Sequence, residues 1–219
     1  ASKTSPPRPR VVFDFLSISP IFNGTTEVAL QLLRCISLSD ELCVSILAEP
    51  KTAEFFEISR EFPLATVYHS PQEVGDADIA VSLCQPTTFS QLAQIEALAP
   101  RRCYIFHDSI AYDCLPIRAR IPALEAVYQK MAMSADLIVF PSEFSKKIFA
   151  ERFSDLSAEN LMVNHLSFSP LDYLSPLPGQ SRGEVHPVLE KLTIEKQTLV
   201  LGNQFYVHKG IAPCVELLG

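Results

Sequence analysis

The chain has 219 residues, 47% of them hydrophobic, with 14 Phe and no Trp, which is enough apolar material for one filled core and part of a second. Charged residues make up 20%, the net charge is -7, and Lys and Arg occur only as scattered pairs, a balance that argues against broad binding to nucleic acid or to anionic membrane. The apolar runs are too short to span a bilayer, and the opening "ASKTSPPRPR" lacks the apolar centre of a signal peptide.

Residues 1–10, rich in Pro, Arg and Ser, read as a flexible tail or linker. "VVFDFLSI", 11–18, is continuously apolar apart from one Asp and predicts a strand buried on both faces. After the loop "SPIFNG", residues 25–39 read as a helix: Val28, Leu32 and Cys35 share a face with Ala29, Leu33 and Ile36 beside it. Thr25 or Thr26 is expected to cap it, with Glu27 at the positive end of its dipole. The alternation continues with strands at 43–48, 65–69 and 79–83, and helices at 52–61 and 89–98. Strands at 103–107, 136–140 and 161–166 follow, with helices at about 122–134 and at 142–153 between them.

Short β-rich runs alternating with helices predict an α/β fold: a Rossmann-like three-layer αβα arrangement around a mostly parallel sheet. Pro170, Pro176 and Pro178 mark a crossover or hinge in place of a core element. "TLVLGNQFYVHKGIAPCVELLG", 198–219, then starts the strand-loop-helix pattern afresh. The expected organisation is a tail (1–10), a Rossmann-like domain (11–170), a Pro-rich hinge (171–197) and the first strand-helix unit of a further domain (198–219).

Six cysteines occur, Cys35, Cys43, Cys84, Cys103, Cys114 and Cys214, none in C-x-x-C and none at zinc-finger spacing from a His. Most sit in apolar runs, where Cys behaves as a small hydrophobe. This pattern is read as a reducing, cytoplasmic setting, with no disulfide framework and no metal site. The sequence has no G-x-G-x-x-G after the first strand, no G-x-x-x-x-G-K-[ST] and no G-x-S-x-G, which disfavours a dinucleotide dehydrogenase, a P-loop NTPase and an α/β-hydrolase.

In "RRCYIFHDSIAYDCLP", 101–116, an apolar run ends on two adjacent ionisable residues, His107 and Asp108. Open parallel sheets bind ligands beyond the carboxyl ends of their strands, and His107-Asp108 falls at such an end, as do Asn23-Gly24 and Pro141-Ser142-Glu143. Each has a plain structural alternative. His107 fits a core-edge histidine bonded to backbone, Asp108 a turn starter, Gly24 a tight turn, and Ser142 with Glu143 a helix cap.

The combination "IFHDSIAYDCLP", "VYQKMAMSADLIVFPSEFSKKIFAERF" and "LVLGNQFYVHKG" resembles the family 4 glycosyltransferases of the GT-B fold. The matching positions are His107-Asp108, Ser134-Ala135-Asp136, Ser142-Glu143-Phe144-Ser145 and Lys209-Gly210, and "SPIFNGTTEVALQLL" looks like the family's first loop and helix. The family's paired-glutamate motif, which belongs to its second domain, is not among these 219 residues.

The resemblance implies a retaining transferase that moves a sugar from a nucleotide-sugar donor to a carbohydrate or other glycosyl acceptor, without a metal or other cofactor. This chain would be the acceptor-side part, inactive without the C-terminal domain of the same protein. His107 would be the catalytic residue near the reacting carbon, Gly24 and Lys209 would serve the donor, and Asn23, Asp108, Ser142 and Glu143 would line the substrate site. Two other expectations stay open: a non-catalytic GT-B-like module that binds a sugar or a partner, and a GT-B-fold epimerase.

Overall fold

A computed structural model describes residues 7–37, 39–113, 123–153 and 158–165. Seven strands form one sheet: β1 (Arg10–Asp14), β2 (Cys43–Leu47), β3 (Thr66–Tyr68), β4 (Ile79–Ser82), β5 (Arg101–Ile105), β6 (Leu137–Phe140) and β7 (Leu161–Val163). All six pairings are parallel and the order across the sheet is β3-β2-β1-β4-β5-β6-β7. The helices are α1 (Gly24–Ser37), α2 (Pro50–Phe55), α3 (Ile58–Glu61), α4 (Phe89–Leu98), α5 (Ile110–Asp113), α6 (Leu124–Ser134) and α7 (Glu143–Phe153).

The expected three-layer, Rossmann-like α/β architecture is what the chain adopts. Period-two alternation sends neighbouring side chains to opposite faces. Val12, Ala80, Tyr104 and Ile138 point into one core layer, which α4, α6 and α7 cover with Leu92, Ile95, Val127, Met131 and Phe149. Val11, Phe13, Ile46 and Val81 point into the other, covered by Ala29, Leu30 and Leu33 of α1 and by Ala53, Phe56 and Ile58 around α2 and α3. Burial on both faces is why the strands read as continuous apolar runs.

The elements differ from the sequence expectation at both ends of β1, at β5 and between α2 and α3. The strand expected over 11–18 leaves the sheet at Asp14, whose Oδ1 accepts a hydrogen bond from the Leu16 amide (3.1 Å) and turns the chain. Phe15 and Ile18 are apolar because they pack beside α1 and α2, not because they extend the strand. The strand expected over 103–107 spans Arg101–Ile105, and Arg10, assigned to the tail, opens β1.

The helix expected over 52–61 is two helices, because Glu57 between them takes a left-handed conformation (φ 48°, ψ 40°). A continuous helix would set Phe56 and Ile58 about 200° apart. The break lets both enter the same core layer.

Residues 166–219, including the end of the strand expected over 161–166, the hinge and the strand-helix unit expected at 198–219, lie outside the described residues, as does the start of the helix expected from about 122.

Phe149 is the keystone of the α6–α7 side. It is fully buried, with its ring 4.8 Å from Phe106, 5.3 Å from Phe140 and 5.4 Å from Phe153, centroid to centroid. Phe149→Ala is expected to lower unfolding free energy by about 3–5 kcal/mol, measured by urea denaturation.

Candidate functional site

Because every pairing is parallel, the carboxyl ends of all seven strands lie along one edge of the sheet. Successive strands are added outward from β1 to β3; the chain then crosses back and adds β4 on the other side of β1. The crevice at that reversal, between the ends of β1 and β4, is where open α/β sheets receive ligands. The sequence-predicted residues distribute around it. Asn23-Gly24 follows β1, His107-Asp108 follows β5 beside β4, and Ser142-Glu143 follows β6. Lys209 lies outside the described residues.

The loop after β4 organises the centre. Gln85 uses both ends of its amide: Oε1 accepts from the His107 backbone N–H (3.1 Å) and Nε2 donates to the Asp108 carbonyl (3.0 Å). His107 sends its ring toward β4, with Nε2 2.9 Å from the Leu83 carbonyl. A carbonyl only accepts, so Nε2 carries the proton. Burial holds the His107 pKa below the usual histidine value, against the Leu83 hydrogen bond and the nearby Asp108 carboxylate, which favour the charged form. The ring is therefore neutral at pH 7, and its Nδ1 lone pair has no partner among the described residues. The plain reading of a core-edge histidine bonded to backbone is correct for Nε2 and does not account for Nδ1.

Several of the other residues hold the loops. Asn23, not Thr25 or Thr26, caps α1: its Oδ1 accepts from the Thr26 amide (2.9 Å), while its own amide donates to Thr26 Oγ1 (2.9 Å). Ser142 Oγ accepts from the Ser145 amide (3.1 Å) and caps α7. Asp108 Oδ1 accepts from the Ile110 amide (2.9 Å) at the start of α5. Glu143 is exposed in the first turn of α7, and its carboxylate has no partner among the described residues. At its other end, α5 is tied to α7 by an Asp113–Arg152 ion pair, with the Arg152 guanidinium 5.6 Å from the centre of the Tyr112 ring.

Gly24 is the first residue of α1, and neither backbone nor packing demands a glycine there. Its φ is not left-handed, and a Cβ would meet nothing within 4 Å among the described residues. The amides of Gly24 and Thr25 have no acceptor among those residues, so two N–H groups at the positive end of the helix stand uncovered.

Sequence reasoning missed two residues. Asp14, the last residue of β1, is 2% exposed. Its carboxyl has only the Leu16 amide as a hydrogen-bond donor among the described residues, and burial pushes its pKa up to about 6. Tyr128, on α6, is fully buried, and its hydroxyl lies beside the Gln85 amide but outside hydrogen-bonding geometry, without a partner among the described residues. The signal available for Asp14 was an acid inside an apolar strand run; Tyr128 looked like an ordinary core aromatic. Cys84 sits near both Asp14 and Asp108, and burial with those two carboxylates pushes its thiol up to about 11, so it is not a thiolate nucleophile.

Among the described residues no group of three or more His, Cys, Asp or Glu side chains gathers as a metal site, and no helix is long and apolar enough to cross a membrane. Exposed aromatic rings sit on this edge too: Phe22, 69% exposed, packs 5.3 Å from Phe55 and 5.4 Å from Phe56, and Phe144 follows Glu143. No protein-family model matches the chain, and no curated protein matches it.

The raised Asp14 pKa has a definite sign. Ionising this carboxyl is harder in the folded chain than in the unfolded one, so its protonation favours folding below about pH 4, and that contribution is lost as pH rises to about 6. Asp14→Asn keeps an acceptor for the Leu16 amide and removes the charge. It is expected to raise stability by roughly 1–3 kcal/mol at pH 7.5, with the gain shrinking toward zero near pH 4, as read from urea denaturation across that range.

Proposed function

We propose that the chain is the acceptor-side part of a GT-B-type glycosyltransferase that moves a sugar from a nucleotide-sugar donor to a glycosyl acceptor. The observation that carries this reading is the His107 ring beside the switch point, neutral and with Nδ1 unpartnered among the described residues. A neutral imidazole with a bare nitrogen accepts a hydrogen bond from a hydroxyl, and at neutral pH it has no charge to offer a phosphate. His107 thus suits a sugar hydroxyl near the reacting carbon. The diphosphate falls to other groups, the Gly24 and Thr25 amides at the start of α1, which have no acceptor among the described residues. The capping duties of Asn23, Asp108 and Ser142 keep the loops in place around an acceptor, and the exposed Glu143 carboxylate, without a partner among the described residues, meets acceptor hydroxyls. The nucleotide would be held by residues of a second domain.

A second reading is supported by the exposed rings of Phe22, Phe55 and Phe144 along the same edge. Apolar side chains at a ligand-binding edge also suit a module that binds a partner without chemistry.

The test is to incubate the complete gene product with a panel of nucleotide sugars and candidate acceptors. Transfer supports the enzyme; binding of an acceptor without turnover on any donor supports the module. With an active pair in hand, His107→Ala is expected to lower kcat/KM about 100-fold, while unfolding free energy falls by only about 1 kcal/mol for the lost Leu83 hydrogen bond. Gly24→Ala should leave stability equal or slightly raised, since the position is helical and open, and raise the donor KM by shielding the two amides. A fall in stability with unchanged kinetics in both variants would return these residues to purely structural roles.

A further inference from the structure

Three polar groups around the switch point lack protein partners among the described residues, and they come from three different elements. Asp14 ends β1, with one carboxyl oxygen bonded to the Leu16 amide and the other unpartnered. Tyr128 on α6 has a fully buried, unpartnered hydroxyl beside Gln85. His107 after β5 has its free Nδ1.

The loop after β4 links them. Gln85 binds the His107 amide and neighbours the Tyr128 hydroxyl, and Cys84 next to it lies within electrostatic reach of both Asp14 and Tyr128. The polar side chain nearest Asp14 in register, Ser82, does not relieve it, because Ser82 Oγ donates to the Cys84 carbonyl (2.7 Å). Buried polar atoms in native structures have partners, and each exception calls for an occupant. The Tyr128 hydroxyl is such an exception, and the second Asp14 oxygen and His107 Nδ1, set around the same loop, have no partner among the described residues; at the position where this architecture receives ligands, one occupant explains all three.

We infer that Asp14 and Tyr128, together with His107, form a subsite that binds the hydroxyl groups of a saccharide. Asp14 accepts from one hydroxyl, the Tyr128 hydroxyl donates to or accepts from another, and His107 Nδ1 accepts from a third. Phosphate is disfavoured, since the Asp14 and Asp108 carboxylates both lie near Cys84 and would repel it. This rests on the glycosyl-transfer reading for the identity of the ligand as a sugar, and adds two ligand-contacting residues to it. Both place their polar atoms deeper than the exposed loops, so they read the saccharide itself and not the group attached to it. The saccharide is either the sugar of the donor or that of the acceptor, and the two are separable by kinetics.

Asp14→Asn and Tyr128→Phe are isosteric changes that remove only the carboxylate charge and the unpartnered hydroxyl. Binding of methyl glycosides of glucose, galactose and mannose to the 219-residue chain is measured by calorimetry and by saturation-transfer NMR, alongside melting temperature. The expected result is that the unaltered chain binds at least one glycoside, and that each variant melts no lower yet binds it at least 10-fold more weakly. In the complete gene product, a raised donor KM assigns the subsite to the donor sugar and a raised acceptor KM to the acceptor. Glycoside binding lost in both variants, with no transfer from any nucleotide sugar, keeps the subsite and overturns the transferase. Transfer that persists with unchanged KM values in both variants keeps the transferase and overturns the subsite. A chain that binds no glycoside, or variants that melt well below it because a bound water satisfied these groups, also overturn the subsite.

Discussion

Parallel pairing throughout the sheet is the constraint on which the rest depends. It forces each strand to be followed by a crossover that returns to the opposite edge, so helices cover the faces and the strands are buried on both sides. It also collects the residues after β1, β4, β5 and β6 on one edge, although they are spread over about 130 positions of sequence. Reversal of strand order between β3 and β4 then sends the chain after β1 and after β4 to opposite sides, the place in the middle of that edge where such sheets form a crevice. No individual residue makes the crevice; it follows from the order in which strands are added.

The polar groups at this edge fall into two sets. One set is satisfied internally: Asn23, Ser142 and one oxygen of Asp108 bind backbone amides at the beginnings of helices and fix how the chain leaves the sheet. The other set has no partner among the described residues: the second oxygen of Asp14, the fully buried Tyr128 hydroxyl and His107 Nδ1. The first set lowers the energy of the folded chain and the second raises it. Groups left open in this way are the ones a ligand could complete, so a functional role is sought in the second set.

Much of the architecture was legible in the sequence because burial on both faces writes itself as apolar runs of strand length, separated by amphipathic helices. Val11, Val12 and Phe13 are such a run. Its end was not legible, because Phe15 and Ile18 are as apolar as the strand residues while packing outside it. The break at Glu57 was hidden for a related reason: its cause is the joint burial of Phe56 and Ile58, a tertiary demand that local periodicity does not express. Within the site, His107 was visible as an ionisable residue at the end of an apolar run. The protonated nitrogen of its ring was not, since that depends on the Leu83 carbonyl of a neighbouring strand. Tyr128 is indistinguishable from any core tyrosine until the surroundings of its hydroxyl are known.

Gln85 gives the edge a mechanical property. Its amide grips the His107 N–H with one end and the Asp108 carbonyl with the other, so the loop after β4 and the chain leaving β5 are clamped at adjacent points. Asp108 in turn starts α5, and α5 is tied through Asp113 to Arg152 near the far end of α7. These links run in series from the centre of the crevice to the outer helix layer, and each has a fixed length. The loop after β4, the start of α5 and the last turn of α7 are therefore not independent of one another: any shift of the chain at His107 or Asp108 has to be taken up along this row of hydrogen bonds and the Asp113–Arg152 pair, so that this part of the edge behaves as one connected frame.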